Sequence, residues 1–159
     1  MRRNVIMSRG KIIAICICPN AGDPMTLIDE VQVIRGRGLE GDRYAGGKGS
    51  FGQVLGKRQV TLINASFFPG SGYEFVDSRR NIVTEGVELM WLIGRKFQIG
   101  EAYMRGIKYC DPCERPRKLS NNENSFAEAF YDRGGLIAKV IKGGIIRVGD
   151  SIIPPPKGY

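Results

Sequence analysis

The sequence predicts a mostly β protein, a closed or nearly closed β-barrel with a few short helices. Three observations carry that reading. Short, β-branched apolar runs recur along the chain. Glycine, at 22 of 159 residues, falls at the ends of those runs, where the chain must turn. No stretch alternates strand with helix as a parallel βαβ sheet requires. With about eight short strands and two short helices to arrange, closure into a barrel removes the exposed strand edges.

Residues 11–18 form a continuous, β-branched run ended by Pro19, the pattern of a strand covered on both faces. Val31 and Val33 alternate with polar neighbours and mark a strand with one buried face. Residues 36–49 form a loop dense in glycine and in basic side chains. Residues 59–63 read as a strand, and residues 67–70 end the next short piece. Residues 81–84 are another strand, and residues 87–93 are one apolar turn or a short helix closed by Gly94. Residues 97–99 and 102–109 form a hairpin around Gly100. Residues 125–131 read as a helix, because the Ser125 hydroxyl can accept from an amide of its first turn. Residues 136–141, 145–148 and 152–153 finish as strands, and Pro154, Pro155 and Pro156 stop regular structure. No repeat, low-complexity segment or linker interrupts this order, so one domain spans residues 10–155.

A chain of this length buries about 70% of its extended surface, enough for a real core. Its 42% apolar and 25% charged residues exclude disorder, coiled coil and collagen as descriptions of the whole chain. The longest apolar run, residues 12–18, is far short of the ~20 residues that span a bilayer, so no membrane partner is expected. With no export signal in view, Cys16, Cys18, Cys110 and Cys113 are expected to be reduced thiols in a cytoplasm.

The net charge is +8, which favours an anionic partner. Histidine is absent. That excludes a Ser-His-Asp triad, a Cys-His pair and an H-E-x-x-H zinc site. Acid–base work near neutral pH must fall to Cys, Lys, Tyr or a perturbed carboxylate.

The strongest chemical feature is Cys110-Asp-Pro-Cys113, followed by Glu114-Arg115-Pro116-Arg117-Lys118. It follows a strand, so its sulfurs are expected on a loop, and Pro112 sharpens the turn. Cationic neighbours favour thiolate over thiol. Rival readings are thiols without a task, a four-cysteine zinc site with Cys16 and Cys18, and a redox pair. Zinc suffers because Cys16 and Cys18 share one strand without a knuckle loop. A thioredoxin-like pair suffers because the βαβ context is missing.

Two basic features accompany the thiols. Arg35, Arg37, Arg43 and Lys48 surround the glycine loop, whose amides can approach an anion; the bland alternative is a solvated hairpin tip. Arg79 and Arg80 enter the strand 81–84 and are expected on opposite sides of it. The inward one needs an anion or a carboxylate, with Glu85 the nearest internal choice.

Several motifs then stand in a telling order: Gly38-Leu-Glu-Gly-Asp42, Arg80-Asn81 running through Thr84 to Leu89, Leu92-Ile-Gly94, Phe97-Gln-Ile-Gly100, Asp111-Pro-Cys113, Gly134 to Val140, and Val148-Gly-Asp150. Together they resemble the MOSC domain, which occurs at the C-terminus of molybdenum cofactor sulfurases, in amidoxime-reducing components and in stand-alone bacterial proteins. The resemblance implies a β-barrel that handles molybdenum cofactor of the molybdopterin type. It implies that Cys113 is the sulfur carrier or the ligand to molybdenum, and that Arg80 and Asn81 lie by the cofactor or anion pocket. Arg43, Lys48 and Thr84 complete the expected cofactor-binding set. The family often has His where this chain has Tyr44. Pyridoxal phosphate enters only as a family association, with no residue assigned to it.

The resemblance also implies a cysteine desulfurase or a molybdoenzyme as partner. Two other functions compete: a molybdenum-dependent reductase of N-hydroxylated compounds, and a basic barrel that binds single-stranded nucleic acid by stacking bases on Tyr73, Phe75, Tyr103 and Tyr109.

Overall fold

The computed structural model describes residues 9–47 and 58–156. Its strands are β1 (Gly10–Ile17), β2 (Thr26–Ile28), β3 (Glu30–Ile34), β4 (Gly38–Leu39), β5 (Val60–Asn64), β6 (Ile82–Glu85), β7 (Lys96–Ile99), β8 (Ala102–Tyr109), β9 (Leu136–Lys142), β10 (Gly144–Arg147) and β11 (Ser151–Ile153). Two α-helices, α1 (Arg115–Ser120) and α2 (Phe126–Ala129), lie between β8 and β9.

The strands β11, β7, β8, β9, β5, β6 and β1 are hydrogen-bonded in that order. A pairing of β1 with β11, Gly10 opposite Ile152, closes them into a seven-stranded barrel. Only β5 and β6 run parallel; the other neighbours in the ring are antiparallel. β2 adds to β1 outside the ring, and β10, β3 and β4 form a separate small sheet. The barrel expected from the sequence is therefore present.

Alternation explains which side chains fill it. In β3, Val31 and Val33 are buried while Glu30 and Gln32 are exposed. In β7, Phe97 and Ile99 turn inward while Lys96 is exposed, and they join Ile15, Leu62, Ile82, Met104 and Leu136 in the principal core. A second apolar cluster gathers Phe68, Tyr73, Phe126 and Phe130 with Ala14, Ile63 and Val83. Phe126 and Phe130, one helical turn apart, stack at 4.4 Å between ring centres. The Ser125 hydroxyl accepts from the Glu128 amide at 3.2 Å, so the expected N-cap is in place.

Residues 87–93 hold the short apolar turn expected there, a 3-10 turn over Leu89–Leu92. Other elements differ from expectation. β2 and β4 were not anticipated, being three and two residues long and too short to show a period. α1 falls on the basic stretch after Cys113, where Pro116 occupies the first turn and favours a helix start. No helix among the described residues is long and apolar enough to cross a membrane.

Candidate functional site

Arg80 sits at the entrance to β6 with 5% of its surface exposed. Its Nε donates to the Gly134 carbonyl at 2.7 Å and its Nη1 to the Ser78 carbonyl at 3.2 Å. The guanidinium faces the Phe126 ring at 5.4 Å. Its Nη2 is buried with no acceptor among the described residues. The expected pairing with Glu85 does not occur: Glu85 is exposed and lies opposite Lys11 across β1.

Arg79 corrects a second expectation. It is not in a strand but at φ +65°, where it caps the 3-10 turn Val76–Ser78. That left-handed residue reverses the local backbone, so both arginines are buried instead of lying on opposite sides of a sheet. Arg79 donates to the Asp23 carbonyl and to the Cys18 sulfur, the latter at 3.5 Å. Burial, and then the neighbouring Arg43 charge, lower its pKa.

Arg43 is 3% exposed and fully held. Its Nη1 donates to Asp42 at 3.0 Å, and its Nη2 to the Tyr44 hydroxyl at 3.0 Å and the Arg79 carbonyl at 3.1 Å. Burial acts against its charge, but Tyr44, Asp42 and Cys18 outweigh it and raise the pKa. Asp42 is itself fixed from behind, accepting from the amides of Cys18 and Tyr44.

These side chains meet Cys113. Arg43, Arg58, Arg79, Arg80 and Arg115, with Tyr44 and Pro116, surround a cleft of about 40 Å³ that Cys113 also lines. Cys113 is exposed, whereas Cys16, Cys18 and Cys110 are buried. No carboxylate lines the cleft among the described residues. A larger groove of about 460 Å³ lies elsewhere, between Phe97, Tyr103 and the three terminal prolines. It has no thiol, so chemistry places the candidate site in the smaller cleft.

Of the residues singled out from sequence, Cys113, Arg80 and Arg43 are thus brought together. Asn81 is not open to a ligand. It is wholly buried, its Oδ1 accepts from the Thr61 amide and hydroxyl, and its Nδ2 donates to the Cys16 carbonyl. It holds β1, β5 and β6 in register around the site. Thr84 is also buried, and its hydroxyl donates to Asn64 Oδ1 at 3.1 Å, away from the cleft lining. Lys48 lies outside the described residues.

Arg58 was missed: it follows Lys57 just before a strand, outside every motif singled out. Arg115 was noted only as a neighbour of Cys113, and α1 turns it into the cleft wall.

The other thiols occupy different surroundings. Cys16 and Cys18 pack with Met25 in a small cluster of their own, and burial pushes the Cys16 pKa up to about 12. Among the described residues no group of three or more His, Cys, Asp or Glu could hold a metal ion, so the four-cysteine zinc arrangement does not form. Of the aromatics weighed for base stacking, Tyr73 and Phe75 are drawn into the second apolar cluster. Tyr109 accepts from the Gly134 amide.

A family model described as the MOSC domain matches residues 43–153. The chain belongs to the MOSC domain family. That family is associated with molybdenum cofactor. No curated protein matches this MOSC domain in sequence. Its fold is similar to that of the YuaD protein from Bacillus subtilis, at a TM-score of 0.75 and 16% identity over 91% of this chain and 94% of that one. It is also similar to YiiM from Geobacillus stearothermophilus (TM-score 0.71, 13% identity, 94% and 77% covered) and to YiiM from Escherichia coli (TM-score 0.62, 18% identity, 92% and 70% covered).

The residues of the cleft fit an anionic group of such a cofactor. A buried guanidinium N–H without an acceptor is destabilising by about 1–3 kcal/mol unless a ligand supplies one. Arg80 Nη2 is in that position, in a wall of arginines beside an exposed thiol. The cleft volume suits one phosphate-sized group, not a whole pterin.

Proposed function

We propose that this MOSC domain binds molybdenum cofactor of the molybdopterin type and serves its maturation or sulfuration, with Cys113 carrying sulfur or ligating the metal. The observation that supports it is the meeting of Cys113 with the arginine cleft, where Arg80 Nη2 lacks an acceptor. When bound, the cofactor supplies anionic phosphate and dithiolene groups and a soft metal centre.

The chain's own residues would do the rest. Arg80 Nη2 donates to an anionic oxygen, a charge-assisted hydrogen bond. Arg43, locked by Asp42 and Tyr44, presents fixed positive charge without having to reorganise. Cys113 stands at the open side, where a large partner can reach it. As a carrier it takes sulfane sulfur from a cysteine desulfurase persulfide: the Cys113 sulfur attacks the terminal sulfur, the donor leaves as its thiol, and Cys113 holds the persulfide. A molybdoenzyme or its cofactor is then the acceptor, and a cytoplasm is the compartment in which such thiol exchange runs.

Two measurements test this. Protein mixed with molybdenum cofactor should retain it through gel filtration, and Arg80→Met should lose it. Intact mass after incubation with a cysteine desulfurase and cysteine should rise by one sulfur on Cys113. Equal cofactor retention by Arg80→Met, or no sulfur gained on Cys113 together with unchanged retention by Cys113→Ala, would remove the cleft or the thiol from the account.

A further inference from the structure

Cys110 is the buried nucleophile that the proposed function leaves unused. It is 1% exposed, yet it belongs to none of the three apolar clusters that fill the protein. Its sulfur instead faces a cation: Arg58 Nη1 lies 4.0 Å away. Arg58 and Cys113 line the same cleft, so the Cys110 sulfur lies one guanidinium behind the wall that displays Cys113.

The backbone around it is tied down. The Cys110 amide donates to the Gly135 carbonyl at 2.9 Å, and a side-chain carbon at Gly134 would overlap the Cys110 carbonyl and Pro112. Cys110 and Cys113 are therefore the two ends of one short Cys-Asp-Pro-Cys segment that is anchored on its Cys110 side. Cys18 also accepts from a cleft arginine, Arg79, at 3.5 Å, but Cys16 and Cys18 pack with Met25 and lie far along the chain from Cys113, outside the Cys-Asp-Pro-Cys segment.

We infer that Cys110 is the resolving thiol of Cys113, which releases carried sulfur as sulfide. This rests on the carrier reading above. The Cys110 sulfur, as thiolate, attacks the Cys113 sulfur of the persulfide. The bond between the two persulfide sulfurs breaks, and the outer sulfur leaves as hydrosulfide with the electron pair. The products are a Cys110–Cys113 disulfide and one hydrogen sulfide, and no outside oxidant is needed. The sulfane sulfur is reduced by two electrons as the two cysteine sulfurs are oxidised to the disulfide. Two equivalents of a low-molecular-weight thiol restore both cysteines.

Arg58 suits this chemistry, because it lies beside the Cys110 sulfur and lines the cleft, where its charge favours the departing hydrosulfide anion. The contrast in burial sets the order of events. Exposed Cys113 meets the sulfur donor, and buried Cys110 meets only Cys113.

The test loads wild-type protein, Cys110→Ser and Cys110→Ala with a cysteine desulfurase and cysteine. The donor is then removed under anaerobic conditions, and Cys113 mass and free sulfide are followed without added reductant. Wild type should lose the extra sulfur, release about one sulfide per chain and gain a Cys110–Cys113 linked peptide. Both variants should keep the Cys113 persulfide at least about tenfold longer. Loading of Cys113 in the variants also reports that the cleft has folded. A persulfide that decays equally fast in all three proteins overturns the role of Cys110 and leaves the carrier reading standing. A Cys113 that gains no sulfur in any of them overturns the carrier reading and this inference with it.

Discussion

Arg80 Nε donates to the Gly134 carbonyl at 2.7 Å, which ties the entrance of β6 to the turn before β9. Gly134 in turn packs against the Cys110 carbonyl, where no larger residue fits. One guanidinium thus braces the segment that carries Cys110 and Cys113 while leaving Nη2 for a ligand. Its position is structural and its free N–H is not, so the two roles can be separated by measurement.

Inorganic phosphate should raise the melting temperature of the wild-type protein, because a ligand bound only by the folded state stabilises it in proportion to RT ln(1 + [L]/Kd). Arg80→Met should abolish most of that rise, and Arg115→Met should reduce it. Thermal unfolding scans with increasing phosphate at constant ionic strength check this. An equal rise in wild type and Arg80→Met would place anion binding elsewhere.

Asn81→Leu should destabilise the fold by about 2–4 kcal/mol, since it strips partners from the Thr61 amide and the Cys16 carbonyl in a fully buried setting. Urea unfolding measures it. At temperatures where the variant remains folded, phosphate protection should be unchanged, because the Asn81 side chain is already consumed by the protein.

Native-state alkylation with iodoacetamide should label Cys113 first and Cys16 last. Cys113 is exposed, while Cys16 is wholly buried. Peptide mass mapping over time reads the order, and early labelling of Cys16 would contradict the packing around Met25.

Alkaline pH should weaken the fold through Cys16. Burial raises its folded pKa from 9.0 to about 12, so the neutral thiol is the form the fold favours. The unfolded chain releases that proton first. The contribution is therefore whole below pH 9 and is lost as pH rises toward 12. The stability difference between wild type and Cys16→Ala should be flat below pH 9 and should shift against wild type above it. A difference that stays flat through pH 11 would mean the thiol has access to water.

Gly134→Ala should displace the Cys-Asp-Pro-Cys turn, because its added carbon would overlap the Cys110 carbonyl. The expected readout is a lower melting temperature together with faster alkylation of Cys110. Unchanged labelling of Cys110 would show that the turn is not held there.

Much of the barrel was legible because its signals are local. The alternation of Val31 and Val33, the hairpin at Gly100 and the Ser125 cap each lie within a few residues. α1 was not legible: Arg-Pro-Arg-Lys-Leu-Ser offers one apolar side chain besides proline and no helical period. Arg79 misled for a different reason. Its left-handed backbone is rare for a residue with a side chain, and nothing in Ser78-Arg79-Arg80 announces it. The thiol and its cationic neighbours Arg43, Arg80 and Arg115 could be named from their motifs. Arg58 could not, because only the pairing of β5 and β8 on either side of β9 carries it to Cys113.

The pairing of β1 with β11 makes neighbours of Gly10 and Ile152. A nascent chain cannot complete this enclosure until β11 has left the ribosome, so the six ring strands made before it must wait with β7 and β1 as open edges. The same seal lets a short linker join Ile153 to Gly10 while a new opening is cut at the Gly100 hairpin, and such a permuted barrel would keep every hydrogen-bonded ladder except that tip.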